Sequence, residues 1–314
     1  MFRNKEYVLS VLSEQSFTKA AQKLFVSQPS LSATIKRIED KIGSPIFDRS
    51  NSPVTLTEVG KQYAESAMVI KQIENNFSTF LSDSQKLLRG KIKIGGSSLF
   101  SSFVLPELIS EFKKQYPKIE FEIFEDNTKN LMAKLNHGEL DIVIDNVGKN
   151  DENFLTSVYK RENMLLTVPR NFSVNERLKP YRLTAQDVKN DMHLSSKKGV
   201  DLSAFSNQSF ILLNPENDTG KRAEALLKKY YVSYNVLFNL EQQLTAYNAC
   251  CTGLGITFVS DTLIKKTDSS LDVYYYKIQD ESASRNIRFY YKKNHYLSRA
   301  SQQFIALNSN ADKV

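Results

Sequence analysis

Over the first ninety positions, apolar residues recur at helical rather than strand spacing. Phe2, Tyr7, Val8, Val11 and Leu12 predict a helix over about 3–14. Ser16 suits an N-cap for a second short helix at about 17–24, where Ala20 and Ala21 are small enough for close helix crossing. Ser27 can cap a third helix with Gln28 and Pro29 in its first turn, where proline is tolerated. Leu31, Ile35, Ile38 and Ile42 give that helix one apolar stripe, and Gly43 stops it. Two β-prone runs, 45–49 and 54–57, flank a polar turn and predict a hairpin. From Thr57 a long helix runs to about Leu88, with Val59, Tyr63, Ala67, Ile70, Phe77 and Leu81 close to heptad spacing.

After Arg89-Gly90 the period changes. Lys91–Gly95, Ile119–Phe124 and Leu140–Ile144 read as strands, separated by helices at about 103–115 and 131–135. Strand–helix–strand repetition predicts a parallel α/β sheet. The order recurs with strands at 164–168, 210–213, 236–238 and 253–259, and helices at about 219–230 and 241–252. Strands at 273–278 and 286–291 and a helix at about 295–308 complete the chain. Two α/β lobes of similar plan predict a hinged clamshell, with lobe I at 91–161 and 268–314 and lobe II at 162–267.

Of the 314 residues, 41% are hydrophobic and 25% charged, which supports a folded core and excludes a mainly disordered chain. No apolar run approaches about 18 residues and no secretory leader opens the sequence, so the expected location is the cytoplasm, with no membrane partner. The net charge of +7 permits nucleic acid or anionic ligands but is shared along the chain and locates no surface. The two cysteines, Cys250 and Cys251, are adjacent and cannot staple a fold; they read as a small buried pair. His137, His193 and His295 are scattered, and no metal-ligand spacing, phosphate loop or nucleophile elbow appears. The expectation is therefore no enzyme activity, no catalytic residue, no metal and no cofactor.

Two short helices with a tight turn, the second polar at its start, form a helix-turn-helix, and the hairpin adds a wing. The second helix enters the major groove N-terminus first, so its opening residues carry the base and phosphate contacts. Ser27, Gln28, Pro29, Ser30 and Ser32 occupy that start, with Thr34 beside them. The side-chain amide of Gln28 matches an adenine edge. Lys36 and Arg37 suit phosphates, and Arg49 on the wing suits phosphate or the minor groove.

The string from Ser16 to Ser32, SFTKAAQKLFVSQPSLS, resembles the signature of LysR-type transcriptional regulators. The resemblance continues through Ile35, Ile38-Glu39, Gly43, Phe47-Asp48-Arg49 and Leu56-Thr57-Glu58-Val59-Gly60. Arg89–Gly95, Gly138–Ile144 and Gly253-Leu254-Gly255-Ile256 resemble the family's effector domain, itself similar to periplasmic solute-binding proteins. Differences are Ala33 and Ser52 in place of larger polar or basic residues, Val259-Ser260 after Gly-Leu-Gly-Ile, and a longer polar stretch at 176–202. The resemblance implies an α/β chain with a winged helix-turn-helix at 1–57, a linker and dimerisation helix at 58–90, and a two-lobed periplasmic-binding-protein-like effector domain at 91–314. It further implies double-stranded promoter DNA, a dimer or dimer of dimers, RNA polymerase and a small-molecule effector as partners.

Ligands in open α/β sheets bind at the carboxyl ends of strands, near helix N-termini. This rule selects Ser97, Ser98, Thr128, Asn146 and Thr219, with Gly253 on a loop of the second lobe, as effector contacts. The acids Asp126, Asp145, Glu216 and Asp218 argue against a strongly anionic ligand unless Lys197, Lys198 or Lys221 offsets them. Two alternatives stay open at this level. One is a ligand-binding module whose DNA domain has lapsed, suggested by Ala33 and Ser52; the other is a redox switch at Cys250 and Cys251.

Overall fold

A computed structural model describes residues 1–50, 53–84, 90–147, 152–195, 198–267, 272–293 and 295–309. The chain divides into two compact units, Met1–Gln85 and Lys86–Val314.

In the first unit a single 3-10 turn leads into α1 (Lys5–Glu14), α2 (Phe17–Lys23) and α3 (Gln28–Ile42). Ser16 and Ser27 cap α2 and α3, their hydroxyls accepting from the backbone N–H of Lys19 and Ser30. Gly43 ends α3 at φ +78°, a conformation that side chains disfavour. The wing strands β1 (Phe47–Asp48) and β2 (Thr55–Leu56) pair antiparallel, Phe47 opposite Leu56. In the turn between them, Asn51 and Ser52 fall outside the described residues. Thr57 opens α4 (Glu58–Ser84), its hydroxyl donating to the Pro45 carbonyl at 2.7 Å and accepting from Gly60 N–H. A Cβ on Gly60 would lie 2.0 Å from the Ile46 carbonyl oxygen, so only glycine lets α4 pack this closely.

Val8, Val11, Leu31, Ile35, Ile46 and Phe47 form the core of this unit, together with Tyr63 and Ala67 of α4. The apolar stripe of the long helix is therefore divided. Its first turns serve the small unit's own core. Further along, Val69, Ile73 and Phe77 are 53–62% exposed.

The second unit begins with β3 (Gly90–Gly96), α5 (Ser98–Phe103), α6 (Leu105–Gln115), β4 (Ile119–Glu125), α7 (Thr128–Asn136) and β5 (Ile142–Asp145). β3 lies between β4 and β5, parallel to both, as strand–helix alternation predicts. The predicted helix near 103–115 is α6, with Pro106 in its first turn, and the short helix α5 precedes it. The long strand β6 (Phe154–Pro169) follows. Its first half pairs antiparallel with β11 (Ser284–Lys292), which also pairs antiparallel with β5. The sheet of lobe I is thus mixed rather than purely parallel.

The second half of β6 belongs to lobe II. It pairs with β9 (Thr257–Ser260) on one side and β10 (Val273–Lys277) on the other. Between β6 and β9 lie the short helices α8 (Val174–Arg177), α9 (Ala185–Lys189) and α10 (Met192–Ser195), then β7 (Gln208–Leu213), α11 (Asp218–Lys229), β8 (Tyr234–Leu240) and α12 (Gln243–Cys251). β7 runs parallel to β8 and bridges to Ile256. α13 (Asp261–Lys266) follows β9, and α14 (Arg299–Asn308) is the last helix.

The predicted lobe boundary at 268 is displaced. Tyr276, Ile278 and Ala283 share a core with Phe210, Leu212 and Phe258, so β10 is a lobe II strand and the chain returns to lobe I at β11. Lobe I keeps a separate core around Ile92, Ile94, Phe112, Ile142, Phe289 and Phe304. Among the described strands only β6 pairs in both lobes, and the chain crosses back where it enters β11, so the hinge lies near Glu162–Met164 and Ala283–Arg285.

Candidate functional site

The first candidate surface is α3. Burial of Leu31, Ile35 and Ile38 fixes its inner face and turns the other side outward. Ser27, Gln28, Pro29, Ser30, Lys36 and Arg37 are exposed, and Ser32 is half-buried. The Gln28 amide donates to Ser32 Oγ at 3.1 Å, which pre-orders two polar groups one turn apart. Arg49 is exposed but engaged. Its guanidinium donates to Glu39 Oε2 at 3.0 Å and lies 4.9 Å from the Phe17 ring centroid. Glu39 also accepts from the backbone N–H of Ile46 at 2.8 Å. Arg49 thus ties the wing to α3 as well as presenting a cation. Phe25, in the turn before α3, is 96% exposed at φ 54°.

The second candidate site is a cleft between the lobes, with a cavity volume of about 40 Å³. Ser97, Ser98, Thr128, Asn146 and Thr219 all line it. They come together because β3, β4, β5 and β7 all end there. Gly253 does not join them. It precedes β9, at the amino end of the strand, where a Cβ would meet only the Asn171 side chain.

Several lining groups are held rather than free. Thr128 Oγ1 donates to Asp145 Oδ2 at 2.8 Å, and Asn146 N–H donates to Asp145 Oδ1. Burial pushes the Asp145 carboxyl up to about 6, only partly countered by those two bonds. Asn146 Nδ2 donates to Glu162 Oε1 at 2.9 Å. Gln243 Nε2 donates to Thr219 Oγ1, and Gln243 Oε1 accepts from Ser260 N–H, so the first turn of α12 holds the start of α11. Leu99, Phe103 and Leu244 supply an apolar wall.

The residue least visible in the sequence is Arg285. Its side chain is 2% exposed; Nε donates to Glu162 Oε1 and Nη1 to Asp218 Oδ2, each at 2.7 Å. Burial opposes its charge, and the two carboxylates outweigh burial and hold it protonated. Arg222 Nε also donates to Asp218, at 2.6 Å. Arg285 and Arg222, not the expected lysines, therefore offset the cleft acids. Lys221 lines a neighbouring depression, Lys198 lines a different groove, and Lys197 falls outside the described residues. Arg285 and Glu162 escape a reading of the sequence because each sits among polar residues of a strand, with no local pattern to mark the lobe crossing. The β-prone run 154–159 is the available signal for that strand.

Cys250 is buried, with Sγ donating to the Thr167 carbonyl, and burial raises its thiol well above the usual range. Such a thiol is a poor redox sensor. No group of His, Cys, Asp and Glu among the described residues could hold a metal ion.

The "LysR substrate binding domain" family matches residues 85–311, and the "Bacterial regulatory helix-turn-helix protein, lysR family" matches residues 2–61. The HTH-type transcriptional regulator YcgK of Bacillus subtilis (strain 168) is 28% identical over 307 residues, which cover 96% of this chain and 92% of YcgK. A full-length OxyR variant from Pseudomonas aeruginosa superposes with a TM-score of 0.71 at 20% identity, covering 100% of this chain and 99% of OxyR. Full-length CbnR, solved with its target DNA, gives a TM-score of 0.62 at 15% identity, with 98% of each chain covered. The two family models together span most of the chain, and the chain belongs to the LysR family of transcriptional regulators: a DNA-binding regulator with an effector-binding domain, not an enzyme.

Proposed function

We propose that this regulator binds promoter DNA through α3 and the wing, and that a small molecule in the interlobe cleft changes how it does so. The convergence of Ser97, Ser98, Thr128, Asn146 and Thr219 on one cleft carries the reading. That cleft is lined from both lobes, and a ligand touching both favours one lobe angle over another. The ligand is small, polar and not strongly anionic, because Asp145 and Asp218 already occupy the cleft with Arg285. No cofactor beyond this ligand is needed.

Two apolar surfaces support self-association. Val69, Ile73 and Phe77 project from α4, and Val236, Leu237 and Phe238 are exposed on the outer strand β8. A dimer through α4 would present two recognition helices to an interrupted dyad site. A dimer of dimers, working in the cytoplasm beside RNA polymerase, follows from the family plan. The DNA reading draws on CbnR, whose structure contains its target DNA.

The test is binding to the DNA upstream of the chain's own gene against a shuffled control at about 0.15 M salt. A preference of about 10³ or more is expected for the wild type. Gln28→Ala should cost about 1–3 kcal/mol on the preferred DNA and little on the control. Metabolites that shift the footprint should lose their effect in Ser98→Trp, which fills the cleft. An unchanged response in Ser98→Trp would move the effector site out of the cleft, and equal affinity for both DNAs in every variant would remove α3 from base reading.

A further inference from the structure

One side chain of α3 anchors the start of the wing. Glu39 follows Gln28 by three helical turns, on nearly the same face of α3. Its Oε1 accepts from the backbone N–H of Ile46 at 2.8 Å and of Phe47 at 3.3 Å, where β1 begins. Its Oε2 accepts from Arg49 Nη2 at 3.0 Å. A single carboxylate thus fixes both the backbone that enters the wing and the cation that follows β1.

Arg49 is held from a second side by the Phe17 ring, 4.9 Å from the guanidinium carbon. Phe17 in turn packs edge-on against Phe47, with ring centroids 5.5 Å apart. Phe17 opens α2, so α2, α3 and the wing meet at one guanidinium. The neighbouring Asp48 does not compete for it, because Asp48 Oδ1 accepts from both the N–H and the hydroxyl of Ser50. The Arg49 side chain is 47% exposed and that of Glu39 13%, so the pair turns its cation outward and its carboxylate inward. Glu39 takes only Nη2. Among the described residues no other hydrogen bond engages the guanidinium, which leaves Nε and Nη1 to meet acceptors outside the chain.

An exposed ion pair of this kind adds little to stability. Its larger consequence is for binding. A free arginine loses rotamer freedom when it settles on a phosphate or a groove edge, and here that ordering is complete before DNA arrives. The carboxylate also repels phosphates, but that repulsion acts on every duplex alike. Correct aim matters only where the fit is close, so the two effects separate between preferred and random DNA.

We propose that Glu39 is a positioning residue for DNA recognition: it aims Arg49 at the duplex that α3 reads, and so adds to sequence preference without contacting DNA. This role rests on the reading that α3 and the wing bind DNA.

The test uses full-length protein, a preferred duplex selected from a random-sequence pool, and a random duplex of equal length, at about 0.15 M salt. Glu39→Gln keeps an oxygen for the N–H groups of Ile46 and Phe47 and removes the charge that holds Arg49. It should bind the preferred duplex about 3- to 10-fold more weakly and the random duplex no more weakly. In an Arg49→Ala background the same substitution should change affinity for the preferred duplex by less than about twofold. A loss of equal size in that background would show that Glu39 acts through the wing backbone or the fold, and it overturns the proposal. So does an unchanged affinity for the preferred duplex, or an equal loss on both duplexes. Gln28→Ala runs beside it: if that variant loses preference and Glu39→Gln does not, only the role of Glu39 falls. A pool that yields no preferred duplex defeats the DNA reading and this role with it.

Discussion

Asp145 combines a role in the cleft with a measurable thermodynamic signature. It is 2% exposed, and burial pushes its carboxyl from the ordinary 3.8 up to about 6. Below pH 3.8 folded and unfolded chains both hold the proton. Between 3.8 and about 6 only the folded chain does, so its stability falls as pH rises through that window and stays lower above it. The loss is about 1–3 kcal/mol. Asp145→Asn cannot ionise and still offers Thr128 an amide oxygen. Urea unfolding of both proteins should therefore show the variant gaining about 1–3 kcal/mol relative to wild type between about pH 4 and pH 7. A constant difference across that range would mean that Asp145 is ionised in the fold throughout. At this scale Ser97, Ser98, Thr128, Asn146 and Thr219 are legible in the sequence, because strand ends and caps are local features. Arg285 and Glu162 are not, because their roles depend on strands far apart in the chain.

At the scale of elements, α4 does two jobs in succession. Tyr63 and Ala67 seal the small unit, and beyond them Val69, Ile73 and Phe77 are exposed. Lys5 and Lys71 add ion pairs to Glu74 and Glu6 that fasten α4 along α1. An exposed apolar row on a helix otherwise well anchored gains most by pairing with another copy. Phe77→Asp should weaken the dimer by about 100-fold or more, near 2.7 kcal/mol, with the small unit's core untouched. Sedimentation at low micromolar concentration reads this directly, and a variant that remains dimeric would take the interface away from this row. Heptad spacing alone cannot separate the two halves, since a core position and an interface position look the same in one sequence.

At the scale of the whole effector unit, the hinge contains a buried ionic cluster. Arg285 reaches Glu162 on β6 and Asp218 at the start of α11, and Asn146 of lobe I also donates to Glu162. Removing the cation alone strands a fully buried carboxylate. Arg285→Ala should cost about 3–5 kcal/mol, and Arg285→Met combined with Glu162→Leu should recover most of it. Urea unfolding of the three proteins decides the point: a single variant no less stable than the double one would show that the cluster is not held by charge pairing. The same cluster bears on lobe motion, because any rotation about the hinge must rearrange bonds that join strand, strand and helix.

Local chemistry in the sequence by itself determined the helix-turn-helix, its serine caps, the glycine at 43, the alternating strands and the polar strand ends that line the cleft. Each of these is specified by neighbours within a few residues, through hydrogen bonding, φ preference or side-chain period. Tertiary structure alone decided which halves of β6 belong to which lobe, that β10 lies in lobe II, that Gly253 stands away from the cleft, and that Arg285 balances its acids. Those outcomes rest on pairing between segments far apart in the chain, such as Glu162 with Arg285, 123 residues away. A strand's own sequence sets which face is apolar, and only the partner strand sets what its polar residues meet.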